Sequence, residues 1–227
     1  DAKGWLPQFT ALAENDPSPV VRLYLASALQ RLPLVDRWAI LAGLARHAED
    51  AGDHNLPLMV WYAAEPLGES DPQRALAFGL SCGQTIPLIR ELMLRRIASV
   101  DSPAALAVLV DGLSKSNDAD EQLAILDGIR QALRGQRQVA PSANWPAAYQ
   151  HALASASQQV RDAATGLGVT FGDAAAMEEF RDVVVAPDAD AATRRAALES
   201  LLAAKDPRLL PVLQKLLGDA ALRDVAI

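Results

Sequence analysis

Residues 53–67, Asp-His-Asn-Leu-Pro-Leu-Met-Val-Trp-Tyr-Ala-Ala-Glu-Pro-Leu, gather side chains able to do chemistry in a sequence that is only 5 % aromatic. Asp53, His54, Asn55, Trp61, Tyr62 and Glu65 all fall within this stretch. Asp53 or Asn55 is placed to cap a helix whose first turn holds Pro57. Trp61 and Glu65, four apart, share a face of that helix, while Tyr62 points about 100° away. Two readings follow. Aromatic residues flanked by polar groups are typical anchors of a docking surface, but they also fill wide gaps between packed helices. The docking reading expects Leu56, Leu58 and Met59 to be buried and His54, Trp61, Tyr62 and Glu65 to be partly exposed.

Five arginines recur at one place in a repeating pattern: Arg22, Arg90, Arg161, Arg194 and Arg223. They read either as a positive stripe for an anionic ligand or as an internal ladder. In the ladder each arginine pairs with a turn aspartate, such as Asp16 or Asp188, of its own or an adjacent repeat. Repetition at a structural register favours the ladder.

The other reactive residue types are scattered. His47, His54 and His151 lie in different elements with no His-x-x-x-His pair, so no metal site is expected, since several ligands must converge on an ion. A Ser/His/Asp triad assembles in space and leaves little trace in sequence, but no Gly-x-Ser-x-Gly elbow is present. Cys82, between Ser81 and Gly83, reads as a small core residue. The glycines at 166, 168 and 172 follow a helical pattern and no strand, a poor context for a phosphate loop. No catalytic, cofactor-binding or metal-binding residue is therefore expected, and no cofactor.

The elements that must position these residues are helices. Ala (44) and Leu (34) together make up about a third of the 227 residues, and both are strong helix formers. Val, Ile and aromatic residues do not cluster as a sandwich, barrel or doubly wound sheet would require. With 51 % hydrophobic and 22 % charged residues, general disorder is excluded. No apolar run approaches the roughly 18–20 residues needed to cross a bilayer, and the chain does not open with a signal peptide. The net charge of −7 disfavours a nucleic-acid partner, which needs a concentrated basic face. A single cysteine leaves no disulfide framework.

The helices repeat. An Asp or Ser turn followed six residues later by an apolar–Arg pair is clearest at 16–22, 155–161 and 188–194. Weaker members place the register at 22, 59, 90, 124, 161, 194 and 223, a mean spacing of about 33.5 residues. Each period divides into two helices. The expected helices span 5–15, 19–32, 35–50, 56–67, 73–81, 87–99, 103–114, 120–134, 145–155, 158–167, 174–185, 191–204 and 207–217. Asp16-Pro17, Asp71-Pro72, Ser102-Pro103 and Asp206-Pro207 are expected to start helices by side-chain capping, with proline where its missing N–H costs nothing. Residues 135–144 form a polar linker and the expected long loop, a possible break in regularity. The repeat holding Gly166, Gly168 and Gly172 is the poorest helix former.

The fold expected is all-α: a single α-solenoid domain over 1–227, of six to seven HEAT-like, armadillo-like hairpins in a right-handed superhelix. The second helix of each pair would line the concave side. Tetratricopeptide and ankyrin repeats have similar periods, but neither signature is present. The Asp turn and the arginine resemble those of HEAT repeats, although HEAT periods are usually about 40–47 residues. Solenoids normally close with polar end repeats. Their absence here suggests a segment of a longer polypeptide.

Residues 53–67 also resemble the "DxNLPLMxWYxxEPL" segment of large exported planctomycete and verrucomicrobial proteins identified as membrane-bound dehydrogenases. The flanking stretches 16–32 and 86–96 are similar to that family too, so the resemblance covers about residues 5–100. In the family, a β-propeller similar to quinone-dependent sugar dehydrogenases precedes HEAT repeats, and a c-type cytochrome domain follows them. This chain carries no Cys-x-x-Cys-His for haem and no propeller strands. The resemblance therefore implies the connecting solenoid alone, exported or in the cell envelope, with no catalytic residue of the family.

The function expected is a non-catalytic scaffold that docks neighbouring domains of the same polypeptide or another protein. Asp53, His54, Asn55, Trp61, Tyr62 and Glu65 are its docking residues. Two alternatives stand beside it. One is a solenoid enzyme such as a DNA glycosylase, using Asp53, Trp61, Tyr62 and Glu65, against which the acidic charge counts. The other is a stand-alone HEAT protein that binds a partner.

Overall fold

A computed structural model describes residues 2–134 and 139–226. Every regular element among them is helical, and within each of two units neighbouring helices pack as hairpins, the packing of an α-solenoid. The chain divides into two compact units, Asp1–Ala132 and Leu133–Ile227. The expected loop at 135–144 lies partly outside the described residues, as does Ile227.

In the first unit, after a short 3-10 turn at Ala2–Trp5, come α1 (Leu6–Asn15), α2 (Pro19–Leu29), α3 (Leu34–Leu44), α4 (Leu56–Ala64) and α5 (Leu67–Ser70). They are followed by α6 (Pro72–Ser81), α7 (Pro87–Ala98), α8 (Pro103–Lys115) and α9 (Ala119–Ala132). Two layers result. α1 packs on α3 and α6 on α8, while the second helices stack in the series α2, α4, α7 and α9. Apolar residues at three- and four-residue steps, such as Ile89, Met93 and Ile97 of α7, supply the buried stripe between the layers.

The second unit contains α10 (Trp145–Leu153), α11 (Gln158–Thr170), α12 (Ala174–Val185), α13 (Ala191–Ala203), α14 (Leu210–Leu216) and α15 (Arg223–Ala226). α11 packs on α10, α12 and α13, and α12 packs on α13 and α14. Trp145 anchors its core, stacked on Tyr149 with centroids 5.5 Å apart and edge-on to Phe171 at 4.8 Å.

Several boundaries differ from expectation, each for a local reason. The helix expected over 35–50 stops at Leu44, and a 3-10 turn at Ala48–Gly52 replaces its end. This bend turns the Asp50 carboxylate back to Arg22 and the His47 ring to the Ala13 carbonyl, 2.8 Å away. The helix expected over 56–67 ends at Ala64, because Pro66 has no N–H for the ladder, and restarts as α5. The helix expected from 207 begins at Leu210: Asp206 instead accepts the Arg208 N–H and an Arg181 hydrogen bond, which holds 206–209 as a turn. α11 runs past Leu167 to Thr170 despite its glycines. A Cβ at Gly168 would sit 2.8 Å from that of Ala176, so the close approach of α12 requires glycine there.

Capping also differs. Of the four expected caps only Asp71 accepts from its helix's first turn, at Arg74 N. Ser102 makes no cap bond. Asp16 accepts the Ser18 N–H ahead of α2. Asp173 and Asp190 cap α12 and α13 instead.

Candidate docking surface and arginine ladder

Asp53 initiates α4. Its Oδ1 accepts the N–H groups of Asn55 and Leu56, both at 2.8 Å, while the Asn55 side chain makes no cap bond. Hydrogen bonds from the Leu56 and Asn55 amides stabilise the carboxylate and lower its pKa. His54 and Asn55 are exposed beside it. Within α4, Leu56 and Val60 are fully buried, but Leu58 and Met59 are only half-buried, so the expected apolar stripe is narrower than the pattern implied. Trp61 is half-buried and Tyr62 is 49 % exposed.

Glu65 has a different place. Its Oε1 accepts from Arg96 Nε of α7, and Arg96 Nη2 donates to Glu69 at 2.8 Å. Burial pulls the Arg96 pKa down, but the hydrogen bonds to Glu65 and Glu69 outweigh it, so the pKa is raised. Glu65 therefore lies on the face of α4 that meets α7, with Trp61 one turn before it, while Tyr62 is the more exposed. Tyr24 of the preceding second-layer helix α2 is 72 % exposed, with Val20 one turn before it at 58 %.

The five register arginines behave unequally. Arg22 is 1 % exposed, and its Nε and Nη2 donate to Asp50 at 2.6 and 2.5 Å. Its Nη1 donates to the Asp16 carbonyl at 2.8 Å. The hydrogen bond to Asp50 raises its pKa against the lowering effect of burial. Arg161 donates to the Ser155 carbonyl at 2.5 Å and to Gln158. Arg194 donates to the Val184 carbonyl at 2.9 Å and to Asp219 at 2.5 Å. Arg90 and Arg223 have no side-chain hydrogen bond or ion pair among the described residues.

The acceptors are thus not the side chains of Asp16 and Asp188. They are turn carbonyls and carboxylates about one repeat further on: Asp50 for Arg22, Asp219 for Arg194, and likewise Asp206 for Arg181. In the repeat assigned to Ala124, the register side chain is Gln122, 3 % exposed, whose Nε2 reaches the Ser116 carbonyl at 2.9 Å.

No family model, no curated protein and no solved structure matches this chain.

Sequence reasoning missed Arg37. Its guanidinium, in a residue 7 % exposed, donates to the carbonyls of Leu32, Ala63 and Gln30 at 3.0, 2.9 and 3.1 Å, with no carboxylate. Burial lowers its pKa. The Gln30 and Ala63 carbonyls, at the C-terminal ends of α2 and α4, carry partial negative charge and with the Leu32 carbonyl of the α2–α3 connection stand in for a counter-ion. The available signal was an arginine inside an apolar helix, Val-Asp-Arg-Trp-Ala-Ile. Cys82 is buried, and burial pushes its thiol up to about 12. Among the described residues no group of three or more His, Cys, Asp or Glu is arranged to hold a metal ion, and no helix is long and apolar enough to cross a membrane.

Proposed function

We propose that this chain is a non-catalytic scaffold whose second-layer helices in the first unit dock a neighbouring domain or partner protein. The carrying observation is the pair of exposed tyrosines, Tyr24 at 72 % and Tyr62 at 49 %, on α2 and α4, which pack directly on one another. Large aromatic side chains left in water on rigid helices are the residue type that contributes most at interfaces. Ion pairs such as Arg22–Asp50 and Arg96–Glu65 tie neighbouring segments of the first unit together, as a spacer requires. By its resemblance to the dehydrogenase family, the natural neighbours would be a β-propeller and a c-type cytochrome on the same polypeptide.

The test is binding of this chain to the separately produced segments that flank it in its gene product. Micromolar association that falls at least tenfold in a Tyr24→Ala, Tyr62→Ala double variant of unchanged melting temperature supports the proposal. A gene encoding neither a propeller nor a cytochrome beside this segment removes the domain-linking form of it. Association indifferent to both tyrosines removes the docking surface.

A further inference from the structure

A groove of about 430 Å³ opens in the second unit among α11, α12 and α13. Its polar lining comes from Asp162 and Thr165 of α11, Glu179 of α12, and Thr193 and Ser200 of α13. The three hydroxyls have each spent their one proton internally. Thr165 donates to the Arg161 carbonyl at 3.0 Å, Thr193 to the Asp190 carboxylate at 2.6 Å and Ser200 to the Ala196 carbonyl at 2.8 Å. A hydroxyl in that state keeps lone pairs and has nothing left to donate, and an ionised carboxylate only accepts. The polar side chains of this groove are therefore acceptors throughout.

The negative charge of the groove is also unmatched. None of its lining residues is a cation. The arginines of these three helices are turned to other partners: Arg161 to the Ser155 carbonyl, Arg181 to Asp206, Arg194 to the Val184 carbonyl and Asp219, and Arg195 to Asp224. Asp162 accepts from the neutral Gln158 amide at 2.6 Å, which leaves its charge in place, and Glu179 has no ion pair among the described residues. We propose that this groove binds an arginine side chain of a partner polypeptide. The guanidinium brings five N–H donors and a positive charge to a lining of acceptors and two carboxylates. The half-buried Phe180 offers a ring for its flat face, and Val183 and Ala197 offer apolar cover for its methylenes. Asp162, Glu179 and Thr193 are exposed, so the groove is an open furrow. That suits a side chain reaching in from a docked chain more than an enclosed small molecule. The inference stands on the second unit alone and is independent of Tyr24 and Tyr62.

The test follows the backbone amide signals of Thr165, Phe180 and Ala197 in the full chain by NMR. The chain is titrated with Ac-Leu-Arg-Leu-NH₂, its uncharged citrulline isostere and the lysine peptide. A saturable shift with the arginine peptide is expected, at least tenfold weaker with citrulline and about threefold weaker with lysine. The double variant Asp162→Asn, Glu179→Gln should lose the response at an unchanged melting temperature, since both side chains are exposed and neither forms an ion pair among the described residues. Phe180→Leu, which keeps apolar volume and removes the ring, should weaken binding about threefold and gives a second reading if the double variant melts early. Equal responses to arginine and citrulline, or to arginine and lysine, overturn the proposal. So do shifts spread over other acidic surfaces with no preference for these amides, or the absence of any response. Arginine binding unaltered in the folded double variant, or in Phe180→Leu, overturns it as well.

Discussion

Removing the Asp50 carboxylate should damage the first unit more than any surface substitution. Asp50→Ala leaves the Arg22 guanidinium, 1 % exposed, with only the Asp16 carbonyl at 2.8 Å and the solvated Glu49 at 3.4 Å. Two charge-assisted bonds at 2.6 and 2.5 Å disappear, and the cation cannot reach water without opening the α2–α4 packing. Stranding one partner of a buried pair costs about 3–5 kcal/mol. With a slope of about 2 kcal/mol per molar urea, the midpoint should fall by about 2 M. Urea titration followed by tryptophan fluorescence, with hydrogen exchange to localise lost protection to α2, α3 and α4, reads this directly. The double variant Arg22→Met, Asp50→Leu provides the control. It removes both charges and replaces them with apolar volume, so it should recover most of the loss, to within about 1–2 kcal/mol of wild type. A single Asp50→Ala variant costing under about 1 kcal/mol would refute the reasoning, because Arg22 would then have found solvent. A double variant no better than the single one would refute it too, because the loss would lie in the turn and not in the charge.

Other regions offer further checks. Lys205, just past the Ala204 cap of α13, has φ of 53°, a left-handed conformation in which a side chain is strained. Lys205→Gly should raise stability by about 0.5–1 kcal/mol in thermal melts of the second unit. Cys82, with its thiol pushed up to about 12 by burial, should resist Ellman's reagent at pH 8 in the native state and react fully in guanidinium. Fast native-state labelling would contradict its placement. Acid should destabilise the protein in a defined direction. Asp219 is lowered by its hydrogen bond from Arg194, Asp190 by those from Thr193, and Asp53 by the Leu56 and Asn55 amides. Folded pKa values below the unfolded ones mean that the stabilisation is complete above the ordinary carboxylate range, near pH 4. It is lost as pH falls through the folded values. The urea midpoint should hold between pH 5 and 7 and drop below pH 4, and Asp219→Asn should blunt that drop. Tyr62→Ala should cost under about 1 kcal/mol of stability.

Residues that were legible in the sequence are those whose role is local. The period, the hairpins and most helix ends follow from apolar spacing and from aspartate and proline at turns. Those signals act within one or two turns of helix, and α12 starts and stops where they place it, at Ala174–Val185. The boundaries that moved did so where a long-range bond took over a local group. The Asp50 carboxylate is turned to Arg22, 28 residues away, which ends the helix early. The Asp206 carboxylate is held by Arg181, 25 residues away, so it does not cap α14. The arginine register was visible because it recurs, but its partners were not, because a backbone carbonyl has no sequence signature. Gln122 shows the consequence. It performs the register task with an amide where its neighbours use a guanidinium, and counting six residues from the Asp118 turn points to Ala124, whereas the carbonyl bonded is that of Ser116.

The same distinction separates Glu65 from Tyr62, which the sequence grouped as one site. Four residues after Trp61, Glu65 lies under the next repeat and is bound by Arg96 of α7. Its carboxylate is occupied in holding α4 against α7 and is not free to recognise a partner. Tyr62 is rotated about 100° from Trp61 on the same helix, which carries it clear of that contact and leaves it 49 % exposed. A stack of helices buries the inter-repeat faces of each second-layer helix and leaves one stripe outward. The outward stripe on α2 runs through Val20 and Tyr24, that on α4 through Tyr62, and that on α7 through Leu88 and Glu91. A surface read across repeats, at one outward position per helix, is therefore the physically sensible unit for docking. A contiguous stretch such as 53–67 winds through the cap, the core and the ion pair before it reaches solvent, so most of its unusual composition is explained by packing. What packing leaves unexplained is the outward residue of each helix, and there Tyr24, 72 % exposed, stands beside Tyr62.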